Sequence, residues 1–123
     1  MSVRVFVVDD TAHVRKMLVQ MLELSGFDIV GQAASGTEAV EKIGDADPQV
    51  VVVDYKMPGL DGIETAREIR AHRPDQAIIL YTAYLDADLE QKAGRAGIAL
   101  CVEKADGILT LESDIRRLAG ETP

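Results

Sequence analysis

The chain has 123 residues, the size of one ordinary domain, and its 47% apolar content fills a core without a metal or disulfide staple. A formal charge of −8 excludes a nucleic-acid surface, which needs clustered Lys and Arg, and the single cysteine, Cys101, excludes an internal disulfide or a cysteine zinc cluster. MSVRVFVVDD has no signal-peptide layout and no apolar run reaches the length of a membrane span, so a reducing, cytoplasmic setting is expected.

The pattern alternates between short β-branched runs and helical periods. A first strand, Val3–Val8, runs into Asp9 and Asp10. Val14, Met17, Leu18, Met21 and Leu22 then fall at helical spacing, with Gly26 closing the helix and Met17 and Met21 read as core packing. A second strand spans Phe27–Gln32. Ser35-x-x-Glu38 is a capping box that opens a helix through Ala39, Val40 and Ile43, ended before Pro48. The third strand, Gln49–Val53, is nearly all valine, which suits burial on both faces, yet it stops abruptly in VVVVDYKMPG at Asp54. Ile63, Ala66 and Ile69 mark a third helix, with Arg67, Arg70, His72 and Arg73 as cations towards its C-terminus. Gln76–Tyr81 is a fourth strand. Leu89, Ala93 and Ala96 give a fourth helix, weakened by Gly94 by about 1 kcal/mol relative to Ala. The fifth strand, Ile98–Val102, precedes a helix carrying Ile108, Leu111, Ile115 and Leu118, for which Asp106 and Thr110 are both candidate caps.

Strict β-α alternation with apolar strands implies a single α/β domain over residues 1–123, a parallel sheet covered by helices on both sides. Right-handed crossovers require one reversal of winding, and the common solution is strand order 2-1-3-4-5. Strands 1 and 3 are then neighbours at the switch point, where ligands bind at the carboxyl edge. That edge receives Asp9 and Asp10 from strand 1, Asp54 from strand 3, Thr82 from strand 4 and Lys104 from strand 5. Three crowded carboxylates raise one another's pKa unless a cation intervenes, and Mg²⁺ is the natural hard, oxygen-seeking partner that keeps waters for phosphate oxygens. Lys104 and Thr82 suit a phosphoryl guest, and a carboxylate can be the nucleophile that accepts it.

VFVVDD, VVVDYKMPGLDG, LYTAY and VEK resemble, in order and spacing, the receiver domain of two-component response regulators. The resemblance covers essentially the whole chain and implies a doubly wound, flavodoxin-like fold. It implies that Asp54 accepts phosphate from the phosphohistidine of a sensor histidine kinase or a phosphotransfer protein. Asp9 and Asp10 would hold Mg²⁺ together with Asp54 and the backbone carbonyl of Lys56, while Thr82 and Lys104 would bind phosphoryl oxygens. Lys56 and Tyr84 occupy positions that flank the path of an attacking water, and so would tune the lifetime of the phosphoryl group. Met57-Pro58-Gly59-x-Asp61-Gly62 would shape the loop into the third helix. The output would be a conformational change controlling an effector domain or downstream protein, with no direct binding of nucleic acid or membrane. The chain's own chemistry would be limited to accepting and slowly losing phosphate.

Two positions depart from the family pattern. Ala105 follows Lys104 where proline is usual, so a trans peptide bond is expected. Cys101 stands where a Tyr or Phe normally turns inward on activation, so rotation of a ring on the fifth strand cannot be the switch.

Taken singly, these residues have plainer readings. Asp9 or Asp10 could cap the first helix, Asp54 could start a turn, and Lys104 could be a solvated charge. His13 and His72 have no partner motif and read as surface residues, Cys101 reads as a small core residue, and Gly31, Gly36 and Gly44 form no phosphate cradle. An aspartyl phosphatase of the haloacid dehalogenase type would need an acid two residues after its nucleophile. Ala12 stands two past Asp10, and Lys56 stands two past Asp54. A receiver-like domain with dead chemistry conflicts with the full set of acids. No output domain is legible before Pro123, so a stand-alone regulator and a piece of a longer protein are both compatible with the sequence.

Overall fold

The computed structural model describes residues 2–121. Five parallel strands form one sheet in the order β2-β1-β3-β4-β5, with β1 at Arg4–Val8, β2 at Asp28–Ala33, β3 at Val50–Val53, β4 at Ala77–Thr82 and β5 at Leu100–Glu103. The helices are α1 (Ala12–Leu24), α2 (Gly36–Ala46), α3 (Gly62–His72), α4 (Ala87–Arg95) and α5 (Ile108–Leu118). Strand ends lie within two residues of the positions the sequence pattern predicts.

Alternation along the strands divides the core in two. Phe6, Val8, Val51, Val53, Ile78 and Leu80 face one side, packed with Ile43 of α2, Ile69 of α3 and Leu89 of α4. Val5, Val7, Val50, Val52 and Ile79 face the other, against Leu18 and Leu22 of α1 and Leu111 and Ile115 of α5. All four valines of β3 are buried because the strand lies at the centre of the sheet with helices above and below. The register of β1 on β2 slips between Val5, which pairs with Ile29, and Phe6, which pairs with Gly31, leaving Val30 as a bulge. Gly31 sits on the Phe6 ring, where a Cβ would lie 2.6 Å from a ring carbon.

Several local expectations are corrected. Met17 and Met21 are not core residues: they are 55% and 38% exposed, and with Leu24 they line the outer side of α1. One residue turns a helix by about 100°, and counting Val19 as apolar rotates the buried arc towards Leu18, Val19 and Leu22, away from Met17. Neither Asp106 nor Thr110 caps α5. Lys104–Asp106 form a 3-10 turn, Gly107 at φ 87° is the N-cap, and the Thr110 hydroxyl donates to the Asp106 carbonyl instead. Ser35 caps α2 by accepting from the Glu38 amide, but the Glu38 carboxylate reaches the Ala34 amide rather than completing the box on Ser35. The reciprocal box is on α3, where Asp61 and Glu64 accept from each other's backbone amides. Arg70 and His72 do occupy the last turn of α3, with Arg73 as its C-cap. Cys101 is half-buried rather than fully so, packed on the α2–α4 side of the sheet.

Candidate functional site

β1 and β3 deliver the acids. Val8 pairs with Val53, and the Asp54 amide donates to the Val8 carbonyl at 3.0 Å, so the last ladder bond fixes the backbone on which Asp54 stands. Asp9 is held likewise by its amide on the Ala33 carbonyl of β2. One carboxylate oxygen from each of Asp9, Asp10 and Asp54 lies within 4.8 Å of the other two. Asp9 is 2% exposed, whereas Asp10 and Asp54 reach solvent.

Second interactions orient the acids. Asp9 Oδ1 accepts from the Thr11 amide at 2.9 Å, so Asp9 braces the turn before α1 while Thr11 holds the N-cap position. Arg15 of α1 donates to the Asp9 carbonyl at 2.7 Å and to Gln32 Oε1 at 3.1 Å, tying the acidic turn to β2. Asp54 Oδ1 accepts from the Tyr55 amide at 2.8 Å. Gly62 lets α3 start directly beneath this corner: a Cβ there would lie inside contact distance of the Asp54 carbonyl oxygen and 2.9 Å from Leu80 Cδ1.

Lys104 Nζ stands 3.5 Å from Asp9 Oδ2 and 3.6 Å from Asp54 Oδ1, beyond the length of a tight charge-assisted hydrogen bond. The ammonium also lies over the Tyr81 ring, 5.8 Å from the ring centroid. Burial pushes the Asp54 carboxyl above its ordinary range; Lys104 pulls it back down, and Asp9 and Asp10 push it further up. Thr82 is buried at the end of β4, its hydroxyl donating to the Tyr84 carbonyl at 3.3 Å. Lys56 and Tyr84 are exposed and line a cleft of about 320 Å³ shared with Asp54, Thr82, Lys104 and Lys92 of α4. Burial and the nearby Glu90 carboxylate raise the Cys101 thiol, which therefore stays protonated at neutral pH. All backbone peptide bonds among the described residues are trans, Lys104–Ala105 included.

The structure thus brings Asp9, Asp10, Asp54, Thr82 and Lys104 to one corner, with Lys56 and Tyr84 at its rim. Cys101 lies one strand away from Thr82, paired with Leu80. His13 and His72 are exposed, on α1 and α3. Arg15 and Tyr81 were not singled out by the sequence. Only their positions hinted at them, Arg15 one turn into the helix after the acid pair and Tyr81 immediately before Thr82.

The response regulator receiver domain family matches residues 5–116. The chain belongs to this family. It is 35% identical to the response regulator GacA of Pseudomonas viridiflava over 93% of its own length and 54% of that protein. With the transcriptional regulatory protein PdtaR of Mycobacterium tuberculosis it shares 42% identity over 76% of this chain and 45% of that one. The chain therefore spans about half the length of these curated relatives. A two-component response regulator of the LuxR family from Aurantimonas superposes with a TM-score of 0.90 at 30% identity, covering 98% of this chain and 88% of that one. The five-stranded order and these relatives identify a phospho-accepting receiver domain of a two-component system, a class that works with a kinase or phosphotransfer protein and controls effector domains. Among the described residues no helix is long and apolar enough to cross a membrane.

Proposed function

We propose that Asp54 is the phosphoacceptor, taking the phosphoryl group from a phosphohistidine of a sensor kinase or phosphotransfer protein in the cytoplasm, and that residues 1–123 form one receiver unit. The observation that carries this reading is the joint placement of three carboxylates within 4.8 Å and a single ammonium held just off two of them. An Asp54 oxygen attacks phosphorus as the bond to the donor imidazole nitrogen breaks, and the electron pair leaves with the imidazole. The buried ladder bond to Val8 keeps the Asp54 backbone from retreating during the attack.

The donor set fits Mg²⁺: three carboxylates and no sulfur or imidazole, half-open to solvent. Asp9, Asp10, Asp54 and the Lys56 carbonyl would hold it, and when bound it neutralises charge on the phosphoryl oxygens. Lys104 would supply a point charge beside Asp9 and Asp54, and the Thr82 hydroxyl would turn from Tyr84 to the phosphoryl group. That turn frees the 83–88 loop and α4, whose cap is Asp86. This route needs no aromatic ring at Cys101. The domain itself contributes no nucleic-acid contact, and its output passes to an effector domain or downstream protein.

The test is intact mass after incubation with Mg²⁺ and acetyl phosphate. The wild type should gain one phosphoryl group, and Asp54→Asn should gain none. A fully phosphorylated Asp54→Asn protein would overturn the assignment.

A further inference from the structure

Lys104 carries its ammonium on a flexible four-carbon stem, and beside two carboxylates such a group ordinarily closes to about 2.8 Å. Here it stops at 3.5 and 3.6 Å, and it is only 28% exposed. The ammonium also lies over the Tyr81 ring, 5.8 Å from Nζ to the centroid, inside the range of about 6 Å over which a ring face attracts a cation.

The sheet explains the meeting. Tyr81 pairs with Val102, and both pack on the α1 and α5 side, whereas Thr82 and Cys101 belong to adjacent positions of opposite parity. Lys104 lies two residues beyond Val102, at the start of the 3-10 turn, so its stem leaves β5 beside the ring.

We infer that Tyr81 is a positioning residue: its ring face holds the Lys104 ammonium back from Asp9 and Asp54, keeping open the space that a phosphoryl oxygen enters. The inference rests on the proposed role of Lys104 towards that oxygen. Without the ring, Lys104 either collapses onto the carboxylates or swings into solvent, and either motion slows phosphoryl transfer.

Three variants and two readouts test this. Tyr81→Phe keeps the ring, Tyr81→Leu removes it while keeping an apolar side chain, and Lys104→Met removes the cation. With acetyl phosphate and saturating Mg²⁺, Tyr81→Leu should phosphorylate about two- to five-fold more slowly than wild type, the range that corresponds to an ordinary cation–π contact. Tyr81→Phe should stay close to wild type. In the Lys104→Met background, Tyr81→Leu should slow the reaction no further, because a residue acting through Lys104 has nothing left to act on. A purely structural role would give the same loss in both backgrounds.

The second readout does not depend on phosphorylation. The Lys104 side-chain methylene protons should show an upfield ring-current shift in NMR spectra of the wild type and Tyr81→Phe, lost in Tyr81→Leu. A Lys104 shift that is normal in the wild type overturns the inference even if Tyr81→Leu fails to fold. So does an equal loss of rate in both backgrounds. If the wild type shows the ring-current shift but accepts no phosphate, the contact stands and the phosphoacceptor reading is what fails.

Discussion

Removing the charge of Asp54 while keeping its shape should stabilise the metal-free protein. In Asp54→Asn the amide can still accept from the Tyr55 backbone, so the change isolates electrostatics. Carboxylate oxygens within 4.8 Å repel by about 3.5 kcal/mol or more per pair at an effective dielectric of about 20, and Asp54 has two such neighbours. Lys104 at 3.6 Å offsets roughly 4–5 kcal/mol of this on the same scale. Burial adds to the cost, because the Asp54 side chain is only 15% exposed. After screening, the charge remains unfavourable by about 1–2 kcal/mol. For a domain of this size that predicts a Tm higher by roughly 3–8 °C in the variant, measured in EDTA at low salt and neutral pH. The effect has a defined pH dependence. The folded pKa of Asp54 lies above its unfolded value, so the native state binds the proton more tightly, and wild-type stability falls as pH rises from the unfolded value through the folded one. The advantage of Asp54→Asn should therefore be absent in acid below the unfolded pKa and complete once the pH exceeds the raised folded pKa. A Tm that is unchanged or lower at neutral pH, or an advantage independent of pH, would refute the crowding of charge at this corner.

Millimolar Mg²⁺ should stabilise the wild type by mass action, by about 2.7 kcal/mol at a hundred times its Kd, and so raise its Tm, with a smaller rise for Asp10→Asn. An unmoved wild-type midpoint across a Mg²⁺ titration would show that the three acids do not act as one site. Lys56 and Tyr84 can donate to or cover a phosphoryl oxygen but cannot orient water as a base, so self-dephosphorylation should be slow. Lys56→Asn with Tyr84→Glu should hasten decay, each ten-fold change reflecting about 1.4 kcal/mol of barrier, as followed by intact mass after removal of the phosphodonor; a wild type that sheds its phosphate within seconds would contradict this. Gly62→Ala should cost about 1–3 kcal/mol in thermal melts, because the new methyl group presses on the Asp54 carbonyl and Leu80.

Most of the candidate site was legible because its residues gather at strand ends, Asp9 and Asp10 after β1, Asp54 after β3, Thr82 at the end of β4 and Lys104 after β5. The end of a strand is a local feature: a run of β-branched residues stops, and Asp54 or Thr82 is the next polar residue. Once the strand order is inferred, adjacency follows from topology, and Asp9, Asp10 and Asp54 must meet. Contacts set by tertiary packing were not legible. The exposure of Met17 and Met21 is a different case, since counting Val19 in the helical period already turns the buried arc towards Leu18, Val19 and Leu22. The Arg15 clamp on Asp9 and the Tyr81 perch under Lys104 join residues 6 and 23 positions apart through side-chain reach, which no spacing rule encodes. Gly107 at φ 87° took the α5 cap because the 3-10 turn after Lys104 leaves the chain in a conformation that glycine adopts without strain. The box on α3 was within reach of the sequence, since Asp61-x-x-Glu64 has the same spacing as Ser35-x-x-Glu38.

The bulge at Val30 has a consequence for how the molecule behaves in company. β2 is an outer strand, and an open sheet edge is a strip of unpaired amides and carbonyls able to recruit a strand from another molecule. Here the slip of register at Val5 and Phe6 kinks that strip midway, and exposed Asp28 and Gln32 border it. Gly31 must stay a glycine for the kink to seat on the Phe6 ring. The same irregularity that fits β2 to the core makes this rim of the sheet a poor template for a strand added from another molecule.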